Sequence, residues 1–244
     1  MSMSSHSHSY FATTRWSMVM NFASTHPPDA GIALAELAQR YWYPVYAYLR
    51  YSGHAPAEAQ DMAYGFFACL PRQFRTGRAH SSQSHFRHYL LGALNEFLEE
   101  ETHASPDGGS RAELAAPPDL EARYRFDNPD AASAEHAYRH SFAIEVIARA
   151  SERLRAEAHQ AGHLKIHQAL EPFLARDPVA NERDVLAARL GMRPLALMVA
   201  LKGLRQRFRE LAENELADTV TTAEDFAAEQ AALRAILHEG QSPS

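Results

Sequence analysis

The sequence FRHYLLGALNEFL, residues 86–98, decides how the rest of the chain is interpreted. Its apolar residues recur at the three- and four-residue spacing of an amphipathic helix. A helical run with acidic residues, from Glu58 to Phe67, precedes it, and a basic connection at residues 72–83 lies between the two. Further on, the sequence DVLAARLGM at residues 184–192 leads into a long basic helix. This order predicts an all-α protein whose second part is a helix-turn-helix.

Length and composition bound the class of protein. The 244 residues suffice for two small domains, and the 46% of apolar residues suffice to build their cores. The formal net charge of -6 argues against a chain coated with nucleic acid, so any DNA contact has to come from a local basic patch. The single cysteine, Cys69, excludes a disulfide framework. We interpret it as a buried, inert thiol in a reducing compartment.

The sequence contains no sign of a membrane or export segment. No stretch approaches the roughly 20 apolar residues that span a bilayer. The Ser- and His-rich N-terminus lacks the apolar core of a signal peptide. We therefore expect a cytoplasmic protein without a membrane partner.

Apolar periodicity and breaks at proline and glycine predict the domains and helices. Pro71 is expected to end the third helix, and Asn181 with Asp184 to cap the first helix of the helix-turn-helix. The predicted domains are a disordered start at residues 1–11, a helical domain at 12–101, a Pro- and Gly-rich linker at 102–133, the helix-turn-helix domain at 134–214 and an acidic helical extension at 215–244. The predicted helices cover residues 14–23, 32–51, 56–70, 84–101, 134–160, 163–175, 181–190, 194–214 and 222–238.

The second helix of the predicted helix-turn-helix is strongly basic. Cations there can neutralise phosphates, which supplies the salt-dependent part of DNA affinity. Leu186, Leu190 and Val199 are expected to form the core between the two helices. Because any helical hairpin with a glycine turn looks similar, a purely structural hairpin is the alternative. The candidate DNA contacts are Arg193, Lys202, Arg205, Arg207 and Arg209.

The segment at residues 72–89 mixes cations with aromatic residues and contains no acid. Unpaired bases stack on aromatic rings while arginine contacts their phosphates, so this pattern is typical of single-strand binding. The alternative is a solvated loop whose aromatic residues turn into the core, and Phe86 is expected in the core on either interpretation. The candidate DNA contacts are Arg72, Arg75, Arg78, Arg87 and Tyr89.

Together these motifs resemble an extracytoplasmic-function-type (ECF-type) RNA polymerase sigma factor of the sigma-70 family. The chain is more closely similar to a longer ECF-like subgroup that has TTRWS, here residues 13–17, and YWYPxYAY, here residues 41–48. The resemblance covers almost all of residues 12–238. It implies a helical first domain and a helix-turn-helix second domain.

The resemblance also implies partners and residue roles. Glu58 and Asp61 fall where the family docks on core RNA polymerase. The loop at residues 72–83 falls where the family opens the -10 element of promoter DNA, and Asn95 falls on the helix that reads this element. Residues 193–209 fall on the helix that reads the -35 element. An anti-sigma or other regulatory protein is a further partner that the resemblance suggests.

Several positions depart from the charge pattern of that family. The helix at residues 84–101 ends in acids, including Glu96, Glu99 and Glu100, where the family has basic residues, and carboxylates repel phosphates. Apolar residues occupy positions 194–198, where polar and basic residues are expected. The alternative function is therefore a degenerate, sigma-derived interaction regulator that has lost promoter recognition.

The sequence contains no recognisable arrangement for catalysis. It has neither a nucleophile–base pair nor a Gly-rich phosphate loop, so we predict a protein that is not an enzyme and uses no cofactor. His159, His163 and His167 recur at the i, i+4, i+8 spacing at which two histidines can bind Zn²⁺. However, Gly162 interrupts the helix and no Cys or carboxylate completes the set, so no metal site is predicted.

Overall fold

The computed structural model describes residues 27–75, 86–101, 116–129 and 131–217, together with 224, 226–228, 230 and 231. Over these residues the chain consists of helices and turns without a strand, which confirms the predicted all-α class. The predicted disordered start, the predicted first helix and part of the predicted linker lie outside the described residues.

The helices follow the predicted order, with one addition at residues 120–127. A short 3-10 turn, Glu171–Phe173, follows the sixth helix. None of the described helices combines the length and apolar character needed to cross a bilayer. The helices are α1 Pro27–Tyr51, α2 Pro56–Arg75, α3 Phe86–Glu101, α4 Leu120–Asp127, α5 Ala134–Gln160, α6 Leu164–Leu170, α7 Ala180–Leu190 and α8 Pro194–Ala217.

The chain divides into two compact units. The first comprises the residues up to Glu145 and those from Leu216 onward, and the second comprises Val146–Glu215. The division falls within α5, whereas the predicted second domain begins at residue 134. A continuous helical pattern does not report where tertiary contacts change from one core to another, which explains the difference.

Two prolines, Pro44 and Pro71, lie inside helices without ending them. The predicted end of α2 before Pro71 is wrong, since the helix continues to Arg75. Pro44 lies inside α1. An interior proline costs about 3 kcal/mol because it removes a backbone donor and crowds the preceding turn. The neighbours Val45 and Leu70 are fully buried, so packing on these helices overrides the local preference.

In the first unit, the middle of α1 is buried on every side. Tyr41, Trp42 and Tyr43 are each 1% exposed, although successive helical residues point about 100° apart. Trp42 stacks on Phe67 of α2 with ring centroids 5.3 Å apart. Tyr41 stacks on Phe142 of α5 at 5.5 Å. A helix that is buried all round requires packing partners in every direction, and α2 and α5 supply two of them.

The remaining side of α1 contacts α4, which lies in the segment predicted as an irregular linker. The Tyr43 hydroxyl donates a hydrogen bond to Asp127 at 2.7 Å. The Arg123 guanidinium lies 3.9 Å from the centroid of the Tyr43 ring and pairs with Glu145 of α5 at 2.6 Å. The prediction missed this helix because polar contacts attach it to α1, and hydrophobic periodicity does not report such contacts.

A second polar cluster joins α4 to α1 around Glu121. The Arg50 guanidinium donates to both carboxylate oxygens, at 2.8 and 3.0 Å, and the Tyr46 hydroxyl donates at 2.9 Å. Arg125 donates to the same carboxylate from within α4 at 2.8 Å. The hydrogen bonds from Arg50 are the main reason that the pKa of Glu121 falls from 4.5 to about 2. The ionised carboxylate therefore stabilises the contact between α4 and α1.

In the second unit, α6, α7 and α8 share one apolar core that includes Leu170, Leu186 and Leu197. Gly191 ends α7 with a φ of 64°, a left-handed conformation that glycine adopts without steric cost. The predicted pair of helices joined by a glycine turn is therefore present. Val199 is 65% exposed, so its predicted place in the core between these helices is wrong.

The start of α7 also differs from the prediction. The helix begins at Ala180, and Val179 occupies the N-cap position in place of Asn181. Glu182 accepts a hydrogen bond from the backbone N–H of Val179 at 3.0 Å and pairs with Arg176 at 2.8 Å. The ion pair and the backbone hydrogen bond fix the helix start, so the predicted Asn cap is not used.

We expect Glu121→Gln to destabilise the first unit by about 1 kcal/mol at neutral pH, since the pair is partly exposed and therefore screened. Because the folded-state pKa is lowered, this stabilisation is present above the ordinary pKa of 4.5 and is lost as the pH falls toward 2. Denaturant unfolding of both proteins at several pH values measures the difference, which should shrink below pH 4.5.

The matched control is Glu135→Gln. Glu135 is exposed and pairs with Arg139 within α5. Its loss should change the free energy of unfolding by no more than about 0.5 kcal/mol. Equal destabilisation by both substitutions would contradict a special role for Glu121.

Candidate nucleic-acid interface

The acidic pair predicted to contact the polymerase lies near the start of α2, and both side chains are exposed. Glu58 also caps the helix, because the backbone N–H of Ala55 donates to it at 3.2 Å. His54 Nδ1 lies 2.9 Å from the same carboxylate, and this hydrogen bond is the main cause that lowers the pKa of Glu58. Glu58 thus has a structural role of its own, whereas substitution of Asp61 leaves this cap in place.

The predicted single-strand site is described only in part. Arg72 is exposed near the end of α2, while the side chain of Arg75 and the whole of Arg78 lie outside the described residues. Arg87 and Tyr89 are each 6% exposed. Burial also raises the pKa of Tyr89 to about 12. In this conformation, neither Arg87 nor Tyr89 presents the surface that direct contact with a base or a phosphate requires.

The packing of α3 explains this burial. Phe86 lies in the core, as expected, in an edge-to-face contact with Tyr41 of α1 at a centroid distance of 5.3 Å. The Tyr138 hydroxyl of α5 donates to the backbone carbonyl of Arg87 at 3.3 Å. Contacts from α1 and α5 thus cover the beginning of α3, which a basic and aromatic composition alone does not indicate.

The exposed side of α3 carries Asn95. The Tyr48 hydroxyl donates to the Asn95 side-chain oxygen at 2.7 Å. Glu96, Glu99 and Glu100 are exposed on the same helix, and Glu99 lies one turn beyond Asn95. This surface of α3 is therefore acidic, which disfavours phosphates close to Asn95.

Of the five predicted cations on α8 or just before it, Arg205 has a structural role. Its guanidinium donates to the carbonyl oxygen of Phe173 at 2.7 and 3.1 Å and to that of Arg176 at 2.5 Å. It also pairs with Asp177 at 2.6 Å. These carbonyls follow the end of α6, where a cation is stabilised by unpaired carbonyl groups. Arg205 therefore holds the chain after α6 against α8.

Arg207 is also engaged within the second unit. It forms a two-bond contact with Glu157 of α5, at 2.7 and 2.8 Å, and a further bond to Glu210 at 3.0 Å. The hydrogen bonds to Glu157 are the largest cause that raises the pKa of Arg207. Paired in this way, its charge is largely balanced by carboxylates before any ligand arrives.

Three of the predicted cations remain available. Arg193, Lys202 and Arg209 are exposed, and their side chains have no hydrogen-bond or ion-pair partner among the described residues. Lys202 and Arg209 are seven positions apart and thus lie along one side of α8. Both contribute to the lining of a cavity of about 450 Å³ on this helix. This side of α8 is a basic surface suited to an anionic partner.

The same side of α8 continues into an apolar surface at the beginning of the helix. Leu195 is 78% exposed and Val199 is 65% exposed. They are four positions apart, in line with Lys202 and Arg209, so one stripe changes from apolar to basic along the helix. Val185 of α7 is a further exposed aliphatic residue of this unit, at 59%.

The three histidines at i, i+4, i+8 spacing lie in different environments. His159 and His163 are exposed, whereas His167 is 2% exposed on α6. Neither ring nitrogen of His167 has a hydrogen-bond partner among the described residues. In that part of the chain, no group of three or more His, Cys, Asp or Glu residues is placed to hold a metal ion.

Comparison of the chain with protein-family models, with curated proteins and with solved structures found no match.

We expect a hydrogen-bonded arginine of α8 and one without a partner among the described residues to differ in their contribution to stability. Arg205→Ala should lower the free energy of unfolding by about 2 kcal/mol, because several hydrogen bonds to a charged group are lost. Arg209→Ala is the matched control and should change it by no more than about 0.5 kcal/mol. Denaturant unfolding of the full chain, followed by circular dichroism, measures both, and equal effects would contradict the assigned roles.

Proposed function

We propose that this chain is a sigma-like transcription initiation factor that binds core RNA polymerase and directs it to promoter DNA. The observation that carries the proposal is the pair α7 and α8, joined at Gly191, with Arg193, Lys202 and Arg209 exposed on or beside the second helix. Cations on the second helix of such a pair are placed to contact phosphates along the major groove. The family resemblance in the sequence motifs supports the same function.

In this proposal, the first unit contacts the polymerase through the beginning of α2. Asp61 and Glu58 supply exposed carboxylates there. Acidic side chains on one helical face are suited to a basic protein surface, and such charges mainly set the rate and specificity of association. Glu58 in addition caps the helix that carries the surface.

The proposed -10 contact involves fewer of the described residues than the sequence pattern suggests. Arg72 and Asn95 are exposed and are the described candidates for direct DNA contact. Arg87 and Tyr89 are buried and are assigned a supporting role, in which they fix α3 within the core. The rest of the basic connection, residues 76–85, lies outside the described residues.

A second candidate function is an interaction regulator that occupies the polymerase, or another protein, without promoter recognition. The observation that favours it is the acidic exposed side of α3, because carboxylates there repel phosphates. In this candidate, the exposed aliphatic residues Leu195 and Val199 of α8 would contact a protein. The two candidates differ in one observable property, which is the selection of DNA sequence.

We expect Asp61→Lys to weaken binding to core RNA polymerase by about tenfold, since it reverses a charge on the proposed docking surface while the cap at Glu58 remains. Glu152→Lys is the matched control, because Glu152 is an exposed acid of the second unit. Affinities of the full-length variants for purified core enzyme, at two salt concentrations, measure the effect. If Asp61→Lys binds core RNA polymerase with unchanged affinity, α2 is not the docking surface.

Promoter affinity should depend on the available cations and much less on the paired ones. Replacing Lys202 and Arg209 with Gln should lower the affinity of the polymerase complex for duplex DNA and reduce its salt slope by about 1.8, or about 0.9 for each lost phosphate contact. Arg207→Gln is the control, since Glu157 and Glu210 already bind its side chain. An equal loss for the control would contradict the assignment of Lys202 and Arg209.

A further inference from the structure

We propose that α8 recognises the C5-methyl groups of thymine in the major groove through Leu195 and Val199. This inference rests on the proposed function and adds the chemical feature of DNA that the helix would read. It concerns residues 194–199 at the start of α8, which are apolar, whereas polar side chains usually contact DNA bases.

The exposure of the two side chains is the first observation. Leu195 and Val199 are 78% and 65% exposed, and they are separated by one helical turn on the same side of α8. Aliphatic surface of this extent is unfavourable in water and gains free energy when it is buried against another apolar group.

The position of the pair relative to the cations is the second observation. At a rise of about 1.5 Å per residue, Lys202 lies about 10 Å and Arg209 about 21 Å along the axis from Leu195. In helix-turn-helix proteins the beginning of the second helix contacts base edges, while cations farther away contact the backbone. The stripe on α8 has this order, with the apolar pair at the start of the helix and the cations after it.

The chemistry of the first turns limits what they can read. Residues 194–199 have the sequence PLALMV, and none of these side chains donates a strong hydrogen bond. Without such groups, the feature of a base pair that remains for recognition in the major groove is the thymine methyl group, which makes apolar contacts. A preference for thymine at one or two positions of the bound duplex follows.

The surroundings of the pair favour DNA over a protein partner. The stripe continues into Lys202 and Arg209, which have no partner among the described residues, and cations of this kind match a polyanion. Two aliphatic side chains also form a much smaller surface than the one that a stable protein interface requires. A protein bound at α8 is therefore the competing outcome of the test.

The test begins with selection from a randomised duplex library by the full chain, both alone and in complex with core RNA polymerase. The selected duplexes are then made again with deoxyuridine in place of each thymine in turn, which removes only the methyl group. We expect about a fourfold loss of affinity for each methyl group that α8 contacts. The double variant with Leu195→Ala and Val199→Ala should bind thymine and uracil duplexes equally.

Two controls distinguish the inference from the function on which it rests. Val185→Ala removes an exposed valine from α7 and should leave the preference for thymine intact. Lys202→Gln should weaken binding to the thymine and uracil duplexes by the same factor. Circular dichroism of each variant establishes that the helices are retained.

Each outcome of the selection has a definite meaning. Enrichment of duplexes that bind equally with thymine and uracil overturns the methyl contact while it leaves the proposed function in place. Failure to enrich any duplex, alone or with the polymerase, overturns both and favours a protein partner at α8. A thymine preference that survives the double alanine substitution overturns the assignment to Leu195 and Val199.

Discussion

The burial of three consecutive side chains on α1 is the constraint on which the first unit depends. Tyr41, Trp42 and Tyr43 point in directions about 100° apart, yet each is 1% exposed. The rings of the first two stack on α5 and α2. The buried hydroxyl of Tyr43 donates a hydrogen bond to Asp127 of α4, which provides the acceptor that a buried donor needs. Burial is the main cause that raises the pKa of Tyr43, and the hydrogen bond to Asp127 is the second. The phenol therefore stays protonated and holds α4 against α1.

In the second unit, the cations of α8 have two roles, since some stabilise the fold and others are available for the proposed function. Arg205 and Arg207 are ordered by carbonyl groups and carboxylates of the same unit, and their removal would leave those groups without partners. Lys202 and Arg209 have no such partners among the described residues. A ligand that binds them does not have to displace an existing ion pair, which makes them the more effective cations for DNA. The division between structural and available cations thus identifies the part of α8 that we propose to bind DNA.

The charge distribution limits how a sigma-like factor of this kind would contact DNA. The chain carries a net charge of -6, and two of its acids, Glu96 and Glu99, are exposed close to Asn95 on α3. In the proposed function, attraction to DNA therefore depends on small basic surfaces such as the one that Lys202 and Arg209 form on α8. A weak electrostatic contribution raises the relative importance of specific contacts to bases. The exposed aliphatic residues at the start of α8 are the described groups suited to that role.

The sequence by itself determined the all-α class, the order of most helices, the turn at Gly191 and the place of Phe86 in the core. These features follow from apolar spacing and glycine conformation, which are local properties of the chain. Only the tertiary structure decided that a helix lies at residues 120–127, that Arg87 is buried and that Arg205 binds carbonyl groups distant in sequence. Spacing reports which residues share a helical face, but not which other elements pack on that face. Contacts between polar atoms far apart in the sequence leave no periodic pattern, so the surface that we propose to bind DNA could be distinguished from the structural cations only once those contacts were known.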